Sequence, residues 1–338
     1  MNAYIDYNNF CSYLKAQGHQ DWNDCNTMLM RNLNLFFTFD KLKLAQSKKE
    51  VKMRADAWLT KATQGRKNLK MVWNDGTVPE PLPERFHETS DFDRLTSVYL
   101  LDREGAQALA DKGLLLVGTV GKELETLKNL GIVTEVGETP EFVPTRQFRI
   151  RAMTDWSVVG ANASPCTDII IVDQYIFAQS DTEYDINSYA LIEQLCKNAH
   201  DTVNIVLFTF NNYDDAGQRM QIPITTIIRN LKEKIRQSTG HEPNVTIAIL
   251  PSQAQHDRTI LTNYKLITSG DSFKYFRGGA NVALCSHGEW LYVNSHYDKK
   301  NLEGSQAFLT DMQAVVDTIK GGIATVYGDR KCNFLNFS

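Results

Sequence analysis

One histidine, one arginine and one asparagine, His256, Arg258 and Asn263, stand at fixed spacing in this sequence, with Gly270 seven positions beyond the asparagine. In an extended strand, residues i and i+2 project to the same side. His256 and Arg258 are therefore expected to face one cavity, a nucleophilic imidazole beside a planar guanidinium suited to bidentate capture of phosphate. Asn263 lies an odd number of steps from both and reaches that cavity only through a bulge or turn. Asp173, at the end of an earlier apolar run, is a candidate to orient the pocket. Ser272, Lys274 and Arg277 follow the motif closely and are candidates to extend a phosphate-binding groove. The competing reading is that His256 and Arg258 only anchor a loop to carboxylates such as Asp173.

Written as a pattern, H-x-R-x4-N-x6-G resembles the phospholipase D superfamily signature H-x-K-x4-D-x6-G-S. It is similar, more closely, to the relaxed His-Asp-Arg version in the phospholipase-D-like C-terminal domain of MIT-domain proteins and in related bacterial domains. In those an Asp-x-Tyr often ends an earlier strand, as Asp173-Gln174-Tyr175 does here. The resemblance covers residues 168–320 and implies metal-independent phosphodiester chemistry, with no cofactor. One histidine attacks phosphorus to form a phosphohistidine, and a second protonates the leaving oxygen. This chain has one motif, so the resemblance implies a homodimer that brings two His256 rings face to face, two-fold symmetry being the commonest oligomer form. Three departures stand out: Arg258 replaces the family lysine, Asn263 the aspartate, and Asp271 the serine, with Ser272 one step late. Together they are compatible with a site that holds phosphate without cleaving it.

Such a site needs a sheet to hold it. At 338 residues the chain is too long for one ordinary core, and two domains are expected, 1–150 and 151–338. The run Ile169, Ile170, Ile171, Val172 marks a strand buried on both faces. Further strands are expected at 203–210, 245–250, 259–267 and 290–295. Helices are expected at 188–198, at 224–237 between Pro223 and Gly240, and at 305–320. The expected fold class is α/β, the second domain being a phospholipase-D-like half-domain with a mixed, largely buried sheet flanked by helices. In the first domain, strands at 3–6, 33–39, 97–101 and 114–117 alternate with helices up to Leu14 and at 41–72, 104–112 and 122–130. Pro79, Pro81 and Pro83 mark a loop, and Pro140 and Pro144 bracket the connection between domains.

Composition limits the function classes. No apolar run approaches the roughly 20 residues that span a bilayer, and the N-terminus lacks the pattern of a signal peptide; a cytoplasmic protein with no membrane partner is expected. Cys11, Cys25, Cys166, Cys196, Cys285 and Cys332 lie far apart with no Cys-x-x-Cys pair, which reads as reduced thiols and not a zinc site. A net charge of −4 argues against a surface coated in nucleic acid but leaves room for a local basic groove. The segment 219–236, with Arg219, Arg229, Lys232, Lys234 and Arg236 against Glu233, is one candidate; a solvated helix face explains it equally well.

Weaker signals complete the reading. Ile5-Asp6-Tyr7-Asn8-Asn9 resembles the first-strand motif of NYN/PIN-type metal-dependent ribonucleases, in which an acid at a strand end binds a divalent ion. Asp40 and Asp102 are candidate partners by position; the alternative is a helix cap at Asp6 or Asn8. Gly118-Thr119-Val120-Gly121-Lys122 is expected to be an ordinary βα turn, and His287 and His296 ordinary loop or core histidines. The leading expectation is a protein that engages nucleic acid or another phosphodiester ligand through the His256 site. An inactive binding or scaffolding module and a metal-dependent nuclease in the first domain are the alternatives.

Overall fold

The structure, a computed structural model, describes residues 1–64, 70–76, 91–110, 117–118, 121–128, 133–136, 139–142, 144–177, 181–199, 201–210, 222–250, 258–278, 283–284, 290–323 and 325–337. The architecture is mixed α/β, in two compact units. Unit one comprises Met1–Phe142 with Tyr297–Lys299, and unit two comprises Val143–His296 with Lys300–Ser338. The division falls before residue 150 because 145–149 forms a strand of the second unit's sheet.

The first unit runs β1 (Asn2–Ile5), α1 (Tyr7–Lys15), α2 (Gln20–Asn32), β2 (Asn34–Phe37), α3 (Lys41–Ala45), α4 (Lys49–Thr63) and β3 (Met71–Trp73). It continues with α5 (Asp91–Leu95), β4 (Val98–Leu100), α6 (Arg103–Ala110), β5 (Val117–Gly118), α7 (Glu123–Lys128) and a hairpin of β6 (Val133–Val136) and β7 (Thr139–Phe142). The five strands β3-β2-β1-β4-β5 form an all-parallel sheet. Chain order reverses between β1 and β4, so the crevice outside their carboxyl ends is where such sheets bind ligands. The expected helix 41–72 is instead α3 and α4, followed by β3. Ser47 and Lys48 interrupt the helical run, and a strand of only three residues leaves little periodicity to read.

The second unit runs β8 (Thr145–Arg149), α8 (Ser157–Gly160), β9 (Asp168–Val172), α9 (Asp181–Tyr184), α10 (Ser188–Cys196), β10 (Asn204–Phe210), α11 (Ile224–Thr239) and β11 (Asn244–Leu250). Then follow β12 (Arg258–Thr262), β13 (Lys265–Ser269), β14 (Phe276–Arg277), β15 (Ala283–Leu284), β16 (Trp290–Ser295), α12 (Lys299–Thr318) and β17 (Thr325–Gly328). Its eight-stranded sheet has the order β17-β11-β10-β9-β12-β13-β16-β8. The strands β9, β10 and β11 are parallel; the remaining pairings are antiparallel. All five residues of β9 are buried, as its unbroken Ile/Val run demands. Pro223 caps α11 and Gly240, at φ +80°, ends it in the left-handed conformation that glycine adopts most readily.

The expected single strand 259–267 is a hairpin. Its two arms, β12 and β13, turn at Asn263 and Tyr264, with Leu261 opposite Leu266. A continuous apolar run does not reveal a two-residue turn, although Asn is a favoured turn residue. The last helix starts at Lys299, not at residue 305.

Candidate functional site

The carboxyl end of β9 and the start of β12 meet, because Thr259 lies opposite Val172 in an antiparallel pair. Asp173 and Arg258, the next residue on each strand, therefore stand side by side, and the Arg258 charge acts on the Asp173 carboxylate. Asp173 is buried and fully engaged. Its Oδ1 accepts from the Tyr175 N–H (2.9 Å), and its Oδ2 from the Phe273 N–H (2.7 Å) and the Ser272 hydroxyl (2.8 Å). Burial pushes this carboxyl above the usual carboxylate range, while the three donors and Arg258 pull it down. The result is a latch that fixes the loop after β13 against the end of β9.

That loop delivers a second cation. Lys274 Nζ lies 5.6 Å from the centroid of the Tyr175 ring, and the Arg258 guanidinium lies 5.9 Å from the same centroid. Arg258 is also held by the Gly270 carbonyl, to which its Nη1 donates at 3.3 Å. Both cations are half-buried. Two positive groups from different elements thus meet at one aromatic ring beside a buried carboxylate, an arrangement able to hold a phosphate.

The sequence-based candidates divide accordingly. Asp173, Arg258, Ser272 and Lys274 come together. Ser272 is buried and spends its hydroxyl on Asp173, so it shapes the loop and does not face a ligand; this corrects its expected role. Arg277 is exposed on β14 and makes no hydrogen bond or ion pair among the described residues. His256 lies outside the described residues.

Asn263 is a second correction. It sits at the opposite end of β12, roughly 16 Å from Arg258 at strand rise, and is fully buried. Its Oδ1 accepts from the N–H groups of Thr167 (2.9 Å) and Asp168 (3.2 Å), and its Nδ2 donates to Thr167 Oγ1 (3.0 Å). Its carbonyl receives His296 Nδ1 at 2.9 Å, while His296 Nε2 faces Ser305 Oγ at 2.7 Å. An offset of five places Asn263 at the hairpin turn, where it brackets β9 and cannot reach the Arg258 pocket. His296 is the core histidine expected; burial depresses its pKa to about 3, keeping the ring neutral.

In the first unit, three carboxylates gather around the β1–β4 crevice. Asp6 caps α1: Oδ1 accepts from Asn9 N–H (2.7 Å) and Nδ2 (3.2 Å), and Oδ2 from the Asp102 N–H. Asp102 caps α6 through Gly105 N–H (2.8 Å). Glu123, which sequence reading missed, sits in the first turn of α7, buried, with Oε1 lacking a hydrogen-bond partner among the described residues. Burial raises the pKa of Glu123, and the Asp6 charge adds to it; burial likewise raises Asp6, with Asp102 adding. Glu123 and Asn9 are among the residues around a cavity of about 10 Å³ whose exposed wall is apolar. A signal for Glu123 existed: an acid opening the helix after the next parallel strand. Asp40 caps α3 instead, accepting from Leu42 N–H at 2.9 Å. Among the described residues no three His, Cys, Asp or Glu side chains are arranged to hold a metal ion.

The other signals resolve as structure. On α11, Lys232 pairs with Asp329 (2.8 Å), Lys234 with Asp185 (3.6 Å) and Arg236 with Glu233 (2.6 Å), the solvated and paired face. Gly121 has φ +84° and Lys122 pairs with Glu125 at 3.6 Å, the form of a simple βα turn. Among the described residues the cysteines are free and no helix is long and apolar enough to cross a membrane; His287 and Cys285 lie outside them.

No family model and no curated protein matches the chain. Among solved structures, one that matches is TrmBL2, an archaeal chromatin protein whose structure shows a novel mode of DNA binding. Identity is 12%, coverage 61% of this chain and 62% of that one, and the TM-score 0.26. The match spans less than two thirds of that chain, and a superposition this loose carries neither fold nor function across.

Proposed function

We propose that the chain engages a phosphodiester, with nucleic acid as the ligand class, through the basic mouth formed by Arg258, Lys274 and the Tyr175 ring. The observation behind this reading is the convergence of the two cations on one ring, at 5.9 and 5.6 Å, at the carboxyl end of β9. Arginine supplies paired donors to phosphate oxygens, lysine a mobile point charge, and the ring a surface against which a base can pack. The buried Asp173 keeps the loop carrying Lys274 in place. The resemblance of the motif to phospholipase-D-like domains agrees with this chemistry.

In the cleaving form of the proposal, an imidazole nitrogen of His256 attacks phosphorus and the leaving oxygen takes a proton from His256 of the partner subunit. Water then breaks the phosphorus–nitrogen bond, returning the imidazole. Arg258 clamps the phosphoryl oxygens throughout. In the binding form the site holds phosphate and breaks nothing.

Labelled single- and double-stranded DNA and RNA, incubated with the full chain in EDTA, test both. Arg258→Ala is expected to weaken binding by about 1–3 kcal/mol and to lower the salt slope by about one phosphate contact. Cleavage in EDTA that disappears in His256→Ala identifies the nuclease form; binding without cleavage identifies the module. Affinity unchanged in both Arg258→Ala and Lys274→Ala sinks the proposal.

A second reading rests on the β1–β4 crevice. The all-parallel sheet and the unsatisfied Glu123 Oε1 favour a divalent cation near Asp6 and Asp102, as the first-strand resemblance implies. Against it, Asp6 already spends both oxygens on hydrogen bonds, so the carboxylates do not fit a metal as they stand. That reading requires hydrolysis that stops in EDTA and in Asp6→Asn but survives His256→Ala.

A further inference from the structure

We propose that the lysine-bearing face of α3 and α4 in the first unit is a contact surface for single-stranded nucleic acid. The inference extends the reading that the ligand is nucleic acid and rests on it, but it uses residues far from Arg258 in sequence.

Residues 41–70 contain ten Lys and Arg against two acids, Glu50 and Asp56, a local +8 in a chain whose net charge is −4. Within the described part, Lys41, Lys43, Lys48, Lys49, Lys52 and Lys61 are exposed. Lys43 lies over the Tyr7 ring at 4.8 Å, and Arg54 pairs with Glu50 at 2.9 Å. Lys41, Lys48, Lys49, Lys52 and Lys61 face no carboxylate among the described residues. On α11, by contrast, Lys232, Lys234 and Arg236 each have an acidic partner, and Arg229 is the one cation of that helix without one among the described residues. Five lysines within 21 residues, 41–61, thus lack an acidic partner among the described residues.

Fold stability does not explain that placement. Lys48 occupies the N-cap of α4 without a side-chain capping bond, and Lys49 and Lys52 lie at its start. A helix N-terminus carries a partial positive charge, which disfavours cations there. A polyanion bound across this face relieves the repulsion.

Two further side chains narrow the partner. Leu42 and Met53, 64% and 60% exposed, are the exposed large hydrophobics among the described residues, and both stand among these lysines. A bilayer would need the apolar stripe of α4, but Ala55, Trp58 and Ala62 are buried in the first unit's core. Two isolated apolar side chains among ammonium groups suit a strand whose phosphates meet the lysines and whose unstacked bases offer apolar faces. The 15 residues of α4 extend about 22 Å, enough for several phosphates.

Fluorescence anisotropy on the full chain decides the matter, using a labelled 20-nucleotide oligo-dT, a labelled 20-base-pair duplex, and phosphatidylserine-containing vesicles as the third probe. In the triple variant Lys48→Glu, Lys49→Glu, Lys52→Glu, affinity for oligo-dT is expected to fall on the order of 10- to 100-fold. The slope of log affinity against log salt is expected to drop by about 2, at roughly 0.7 per single-strand phosphate. Leu42→Ser with Met53→Ser is expected to weaken oligo-dT several-fold and leave the duplex unchanged. All five positions are exposed, so thermal melting should stay at or above the wild-type value in the triple variant. Wild-type affinity in the triple variant overturns the inference, and if Arg258→Ala still loses binding the second-unit site stands alone. Loss in the triple variant with Arg258→Ala unaffected supports this surface and removes the other. Preference of the wild type for duplex or vesicles also overturns it.

Discussion

Asp173→Ala is expected to destabilise the second unit by about 3–5 kcal/mol, the range for stripping the acceptor from a buried charge-assisted network. Three donors lose their partner at once: the Ser272 hydroxyl and the N–H groups of Phe273 and Tyr175. Each sits in or beside buried structure where water replaces the carboxylate poorly. Chemical denaturation measures the global loss. Amide hydrogen exchange gives a sharper reading, because the Phe273 N–H is expected to become the most deprotected amide of the 270–274 loop. Ser272→Ala removes one donor while leaving the carboxylate two others, and is expected to cost about 1 kcal/mol. Equal effects from the two substitutions, or an unchanged Phe273 amide, would show that Asp173 does not hold the loop.

The latch also explains what could be read from the chain and what could not. The Ile169–Ile170–Ile171–Val172 run announces a doubly buried strand, because no amphipathic element tolerates four consecutive aliphatics. Pro223 and Gly240 delimit α11 through their own backbone constraints, which act locally. The Asp173–Arg258 neighbourhood was legible as a pair of strand ends. The role of Ser272 was not, since burial of a hydroxyl depends on a carboxylate 99 residues away. Asn263 misleads for a related reason. Its spacing from Arg258 is a count along the chain, and a hairpin turn converts that count into distance along the strand. Glu123 shows the limit most clearly: its place at the start of a helix is local, but the burial that chiefly raises its pKa exists only in the folded chain. The basic character of residues 41–70 is present in the composition, but whether a lysine is neutralised is a property of the folded surface alone.

Lys265→Met is expected to stabilise the protein below neutral pH, by about 2–5 kcal/mol, and to lose that advantage as pH rises. Lys265 opens β13 opposite Ser295 and is 3% exposed. Burial depresses its pKa from 10.5 to about 7, and the charge of the nearby Arg146 adds to the depression. Between these two values the unfolded chain binds more protons than the folded one, so stability contributed at this position grows with pH across that window. Below about pH 7 both states are protonated and the folded protein carries the full penalty of a buried ammonium. Each pKa unit is worth about 1.4 kcal/mol, which sets the upper end of the range; the interactions of the Lys265 side chain that are lost with the ammonium set the lower. Methionine keeps an unbranched stem of similar volume and removes the charge. Urea unfolding of both proteins at about pH 6 and pH 10 isolates this group from every titration that Lys265 does not influence, because those are common to the two and cancel in the difference. A difference that does not change between those pH values would mean that Lys265 titrates as it does in the unfolded chain, and that the interior beside Arg146 tolerates a second cation without cost.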